Sequence, residues 1–123
     1  MRVGYWHFAF LGPESFSAAE ASECAGDQDA FWEYHDLLFE NQDAYGEGTF
    51  NDFAASLALA PDAFTACLES GKFQAPVQMD FQEGIRLGAT GTPTFFINGV
   101  YLNGARPQAE FEEIIEAELA TMD

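Results

Sequence analysis

Apolar residues recur at steps of three and four along most of this chain, giving way at two places to short runs rich in aromatic and β-branched residues. The stepped pattern predicts helices. Ser17-Ala18-Ala19-Glu20 has the form of a capping box and opens a short helix through Ala25, with Gly26 as its stop. Ala30 to Asn41 carries two apolar stripes, Phe31, Tyr34, Leu38 and Trp32, His35, Phe39, which predicts a helix enclosed on two sides. Phe50, Phe53, Ala54 and Leu57 mark a third helix over Phe50–Leu59. Pro61 suits the first position of a fourth, which carries Phe64, Cys67 and Leu68 and ends at Gly71. Val77, Phe81 and Ile85 share one face of a fifth, from Phe73 to Leu87. Pro107 starts a last helix with Phe111, Ile114, Ile115, Leu119 and Met122 in register.

These two runs read differently. Val3 to Phe10 is rich in aromatic residues and closes at Gly12-Pro13, so it is expected to be a strand. Thr94 to Ile97 has no polar alternation and predicts a strand buried on both faces. Asn98-Gly99 follows it, then Val100-Tyr101-Leu102. A two-residue turn of this kind needs φ > 0 at both central positions, which asparagine and glycine tolerate, so a β-hairpin is predicted. From the residues alone, Pro93 is an ordinary trans proline opening that strand. The order is strand, about five helices, hairpin, helix. With no repeat, linker or low-complexity tract, residues 1–123 are expected to form a single domain.

Charge narrows the function classes. The chain has 21 acidic residues against Lys72, Arg2, Arg86 and Arg106, for a net charge of −17. Four cations cannot form the basic face that phosphate backbones require, so nucleic acid is not an expected partner. The acids are dispersed, and so uniform an excess is a device of proteins from high-salt environments. No apolar run approaches the ~20 residues of a membrane span. Met1 to His7 lacks the features of a signal peptide.

Candidate chemistry is sparse. Cys24 and Cys67 lie among apolar neighbours and each has a plain reading as a small core residue. With His7 and His35 they lack the paired spacing of a metal site, and no metal is expected. His35 sits in an aromatic stripe and reads as a core or groove residue. Glu33 and Asp36 are spaced as solvated charges on a helix face. No phosphate-cradling loop, serine-nucleophile motif or flavin fingerprint is present, so no cofactor is expected.

The stretch Gly91-Thr92-Pro93-Thr94-Phe95-Phe96-Ile97-Asn98-Gly99 resembles the cis-proline loop and hairpin of the DsbA-like branch of the thioredoxin superfamily. Tyr5-Trp6-His7-Phe8, Cys24-Ala25-Gly26-Asp27-Gln28 and Phe31 through Phe39 extend the similarity over nearly the whole chain. The resemblance implies an α/β, truncated thioredoxin-like fold with a helical insertion at about 17–88. It also implies that Thr92 and Pro93 offer backbone to a polypeptide substrate beside a catalytic Cys-x-x-Cys. Neither cysteine here is part of such a motif. The chain thus corresponds to the family from its second strand onward, either as a fragment of a longer protein or as a form that lost the catalytic segment. Either way it is expected to be inactive alone, with a non-catalytic peptide-binding or assembly module as the alternative. The isomerase and glutathione-transferase-like branch is a more distant one, its nucleophile again lying outside this stretch.

Three further expectations follow from the resemblance. An extracytoplasmic setting is implied, and there a structural Cys24–Cys67 disulfide is permitted. The sheet lacks its first strand, leaving a vacant edge. Val3–Phe10 fills it by pairing antiparallel with Thr94–Ile97, or two chains complete each other as a homodimer.

Overall fold

The computed structural model describes residues 1–122. It comprises two compact units, Met1–Gln82 and Glu83–Asp123. The first unit is helical. It contains α1 (Pro13–Gly26), α2 (Phe31–Glu40), α3 (Thr49–Ser56), α4 (Pro61–Ser70) and most of α5 (Gln74–Arg86). Proline opens both α1 and α4, where its missing N–H costs nothing. Gly71 ends α4 in the left-handed conformation (φ +66°), as its place in the pattern predicted.

The core of this unit lies where α1, α2, α3 and α4 meet. Ala21, Cys24, Ala25, Tyr34, Leu38, Ala54 and Phe64 are buried there, packed against Phe50, Phe53, Leu57 and Leu68. Small residues on α1 let its backbone approach the large rings of Tyr34 and Phe64, whose centroids are 5.6 Å apart. The Tyr34 hydroxyl donates to the Phe50 carbonyl (2.9 Å), and the Tyr45 hydroxyl donates to the Leu38 carbonyl (2.7 Å). Burial, with a smaller contribution from Tyr45, pushes the Tyr34 hydroxyl far above the ordinary tyrosine range. Gln28 closes the unit by bonding both backbone groups of Ala60.

The second unit contains β1 (Thr94–Ile97), β2 (Val100–Asn103) and α6 (Gln108–Ala120). The strands pair antiparallel, with Thr94 opposite Asn103 and Ile97 opposite Val100. Asn98 (φ +50°) and Gly99 (φ +85°) form the expected turn. Phe95 meets Phe111 of α6 edge to face at 4.7 Å.

Four expectations are corrected. Val3–Phe10 is not a strand, and among the described residues the sheet consists of β1 and β2, so the segment supplies no third strand. The segment instead runs over the helices, burying His7 and Ala9, the latter beside Ala19 and Val77. β1 is not buried on both faces: Phe95 and Phe96 are exposed, because a two-stranded ribbon has little to cover it. α1 begins four residues before the proposed cap, at Pro13, so Ser17 lies inside a helix. Finally, α2 is enclosed along only one stripe. Tyr34 and Leu38 are buried, whereas Trp32 and Phe39 are more than half exposed.

Candidate functional site

Two groups of residues carry the chemistry, one in each unit. In the second unit the Gly91–Thr94 loop leads into β1. The Thr92–Pro93 peptide bond is cis. The Thr94 hydroxyl donates to the Gly91 carbonyl (2.6 Å), and the Pro93 carbonyl accepts from the Gly104 N–H (2.9 Å). These two bonds fix the loop on either side of Thr92. Thr92 and Pro93 are both exposed, and among the described residues the Thr92 N–H and C=O have no hydrogen-bond partner. A backbone N–H and C=O presented side by side at the start of a strand can pair with another extended chain.

In the first unit Cys24 of α1 and Cys67 of α4 form a disulfide, with Cα atoms 5.9 Å apart. The bridge closes a separation of 43 residues and ties together two helices that pack in the core. Beside it, the Lys72 ammonium bonds Asp27 Oδ2 (2.6 Å) and lies over the Phe73 ring, 5.1 Å from its centroid. An open groove of about 450 Å3 follows, lined by Tyr5, Glu23, Gly26, Asp27, Phe31, Trp32 and Phe73.

Tyr5 is the hub of this surface. Its ring meets those of His7, Phe31, Trp32 and His35 edge to face at 5.2–5.7 Å. Burial raises its hydroxyl above the ordinary range. His7 is only 7% exposed. Its Nε2–H donates to Glu23 Oε1 (2.8 Å), and its backbone N–H donates to Asp80 (3.1 Å). These bonds hold the N-terminal segment against α1 and α5. His35 is half-buried in the same aromatic cluster and pairs with Asp36 (3.1 Å). Glu33 and Asp36 are exposed. Sequence reasoning did not find the His7–Glu23 and Lys72–Asp27 pairs, because partners 16 and 45 positions apart leave no periodic signal.

Among the described residues, no group of three or more metal-ligating side chains gathers, and no helix is long and apolar enough to cross a membrane.

Residues 2–117 match a protein family described as Thioredoxin. Several curated proteins are similar. Disulfide bond formation protein D of Bacillus subtilis is 30% identical over 127 residues, covering 97% of this chain and 57% of that protein. A Na(+)/H(+) antiporter NhaA of Herminiimonas arsenicoxydans is 34% identical over 105 residues, covering 85% of this chain and 17% of its own length. For Na(+)/H(+) antiporter NhaA 3 of Salinispora tropica the identity is 38% over 87 residues, covering 71% and 13%. The chain thus spans between about an eighth and somewhat over half of these relatives. No solved structure matches it significantly.

Proposed function

Because this chain belongs to the thioredoxin family, in its DsbA-like branch, we propose that it is the substrate-presenting part of a thiol–disulfide oxidoreductase. Thr92 and Pro93 receive an extended polypeptide, which pairs with the open N–H and C=O of Thr92 as an added strand beside β1. The observation that carries this reading is that exposed, unpaired backbone, held between two hydrogen-bonded anchors. Exchange itself needs a thiolate poised by a helix N-terminus or nearby cations. The only two cysteines here are joined to each other, and neither belongs to a Cys-x-x-Cys. Alone, the chain is therefore proposed to bind substrate without oxidising or reducing it.

The test is a titration with an unfolded cysteine-bearing peptide, followed by amide NMR and paired with an insulin-reduction assay. Shifts centred on Gly91, Thr92 and Thr94 with no turnover are expected. Turnover at the rate of a complete family enzyme would falsify the inactive reading, and shifts confined to other residues would remove the loop from it. Equal binding of cysteine-free peptides would favour the second reading, a non-catalytic assembly module. The bridge supports that alternative, since it leaves no free thiol.

Two further properties belong to the same proposal. Among the described residues β1 pairs with β2 alone, which fits a homodimer formed through its open edge when no substrate chain occupies it. A monomer by light scattering at high micromolar concentration would argue against it. The net charge of −17 fits a protein adapted to high salt.

A further inference from the structure

The two sulfurs of the bridge are unequal targets for an outside thiol. Cys24 is 2% exposed, inside the core beside Ala21, Ala25, Tyr34 and Phe64. Cys67 is half-buried on α4, with its Sγ 4.0 Å from Asp27 Oδ2. Exchange proceeds by attack of a thiolate on one sulfur while the other leaves. Attack at Cys24 would require the nucleophile to force its way into a close-packed interior that has no room for it. Attack at Cys67 needs only an approach from the surface. The attacker then passes through a strongly acidic field. Within residues 1–82, Arg2 and Lys72 face fourteen acidic residues, and Lys72 is already engaged by Asp27.

We propose that Cys67 is the point of entry for small thiols into the folded protein, and that it accepts cationic thiols in preference to anionic ones. In the first step the incoming thiolate forms a bond to Cys67 Sγ and the Sγ–Sγ bond breaks. The electron pair departs on Cys24 Sγ, which takes a proton from solvent. The product is a mixed disulfide on Cys67 and a thiol at Cys24. A second thiolate attacks the sulfur of the incoming group, releasing the small-molecule disulfide and leaving Cys67 as a thiol, so the thiol pool is the only reductant required. The Asp27 carboxylate adjoins the attacked sulfur. It repels an anionic nucleophile and attracts a cationic one, while Lys72 tempers both effects.

The test exposes the oxidised full chain at mildly alkaline pH and low salt to excess cysteamine or thioglycolate. Samples are quenched in acid, digested with a glutamate-specific protease and mapped by mass spectrometry. Early adducts are expected on Cys67 over Cys24 by about ten to one. Per thiolate, cysteamine should open the bridge about three-fold faster than thioglycolate, the scale of a single exposed charge pair. High salt should shrink that ratio, and Asp27→Asn should abolish or invert it. In concentrated urea both preferences should vanish. Equal labelling of Cys24, no opening until the chain unfolds, or no charge preference at low salt would each overturn the proposal.

Discussion

Opening the Cys24–Cys67 bridge should cost the helical unit a large part of its stability. The bridge spans 43 residues. In the loop-entropy model, −2.1 − 1.5R ln 43 is about −13 cal/mol/K, or roughly 4 kcal/mol at 25 °C. Replacing both cysteines by alanine also deletes a sulfur from the core at Cys24, which adds about 1 kcal/mol. Against a typical domain stability of about 5–15 kcal/mol, such losses bring the unit close to its folding threshold. Urea denaturation followed by circular dichroism separates the two contributions. Phosphine-reduced wild type should lose about 4 kcal/mol and Cys24→Ala/Cys67→Ala about 5 kcal/mol, with a larger m-value in both because the open chain expands further. A loss below about 1 kcal/mol with an unchanged m-value would refute the reasoning, because the bridge would then not restrain the unfolded chain.

Three other outcomes are expected. Tyr34→Phe leaves the Phe50 carbonyl without its donor and should cost about 1 kcal/mol. Since the folded Tyr34 pKa lies above its unfolded value of about 10, its contribution is complete below that pH and lost as pH rises beyond it. Urea midpoints from pH 8 to 11 should therefore fall less steeply in the variant than in wild type, and parallel curves would contradict the assignment. His7→Ala removes the bond to Glu23 and should speed hydrogen exchange at Tyr5–Ala9 without altering protection of α1–α4. Unchanged exchange in that segment would show that His7 does not anchor it. Raising KCl from about 0.1 to 2 M should lift the thermal midpoint by screening the net charge of −17, and a salt-independent midpoint would sink the high-salt reading.

The helices were legible because their signals are local. Phe64 and Leu68 repeat at helical spacing, while Pro61 and Gly71 punctuate the element that carries them. The Asn98-Gly99 turn was legible for the same reason. The failures come from contacts that local pattern cannot contain. Val3–Phe10 has strand composition, but strand propensity expresses packing against neighbouring strands, and here its neighbours are α1 and α5 through Glu23 and Asp80. The unbroken run in β1 suggested double burial, yet one partner strand is too little to cover Phe95 and Phe96. Ser17 and Glu20 satisfy the capping-box pattern, but Pro13 supplies an earlier start. The cysteines were ambiguous because pairing depends on how α1 crosses α4, which 43 intervening residues do not encode in any period.

The clasp of Lys72 between Asp27 and Phe73 also bears on how long such a chain survives digestion. Trypsin cuts after lysine and arginine, and this sequence offers it only four such residues. Arg2 lies outside the helices, Arg106 is protected by the following Pro107, and Arg86 is paired with Glu83 within α5. Lys72 stands in the turn between α4 and α5, where a nick would separate the two helices, and its ammonium is held by a carboxylate and an aromatic face. While that clasp stays shut, a trypsin-like protease finds little to recognise in the helical unit. Both bridged cysteines lie upstream of Lys72, so a cut there releases the rest of the chain with the bridge still closed.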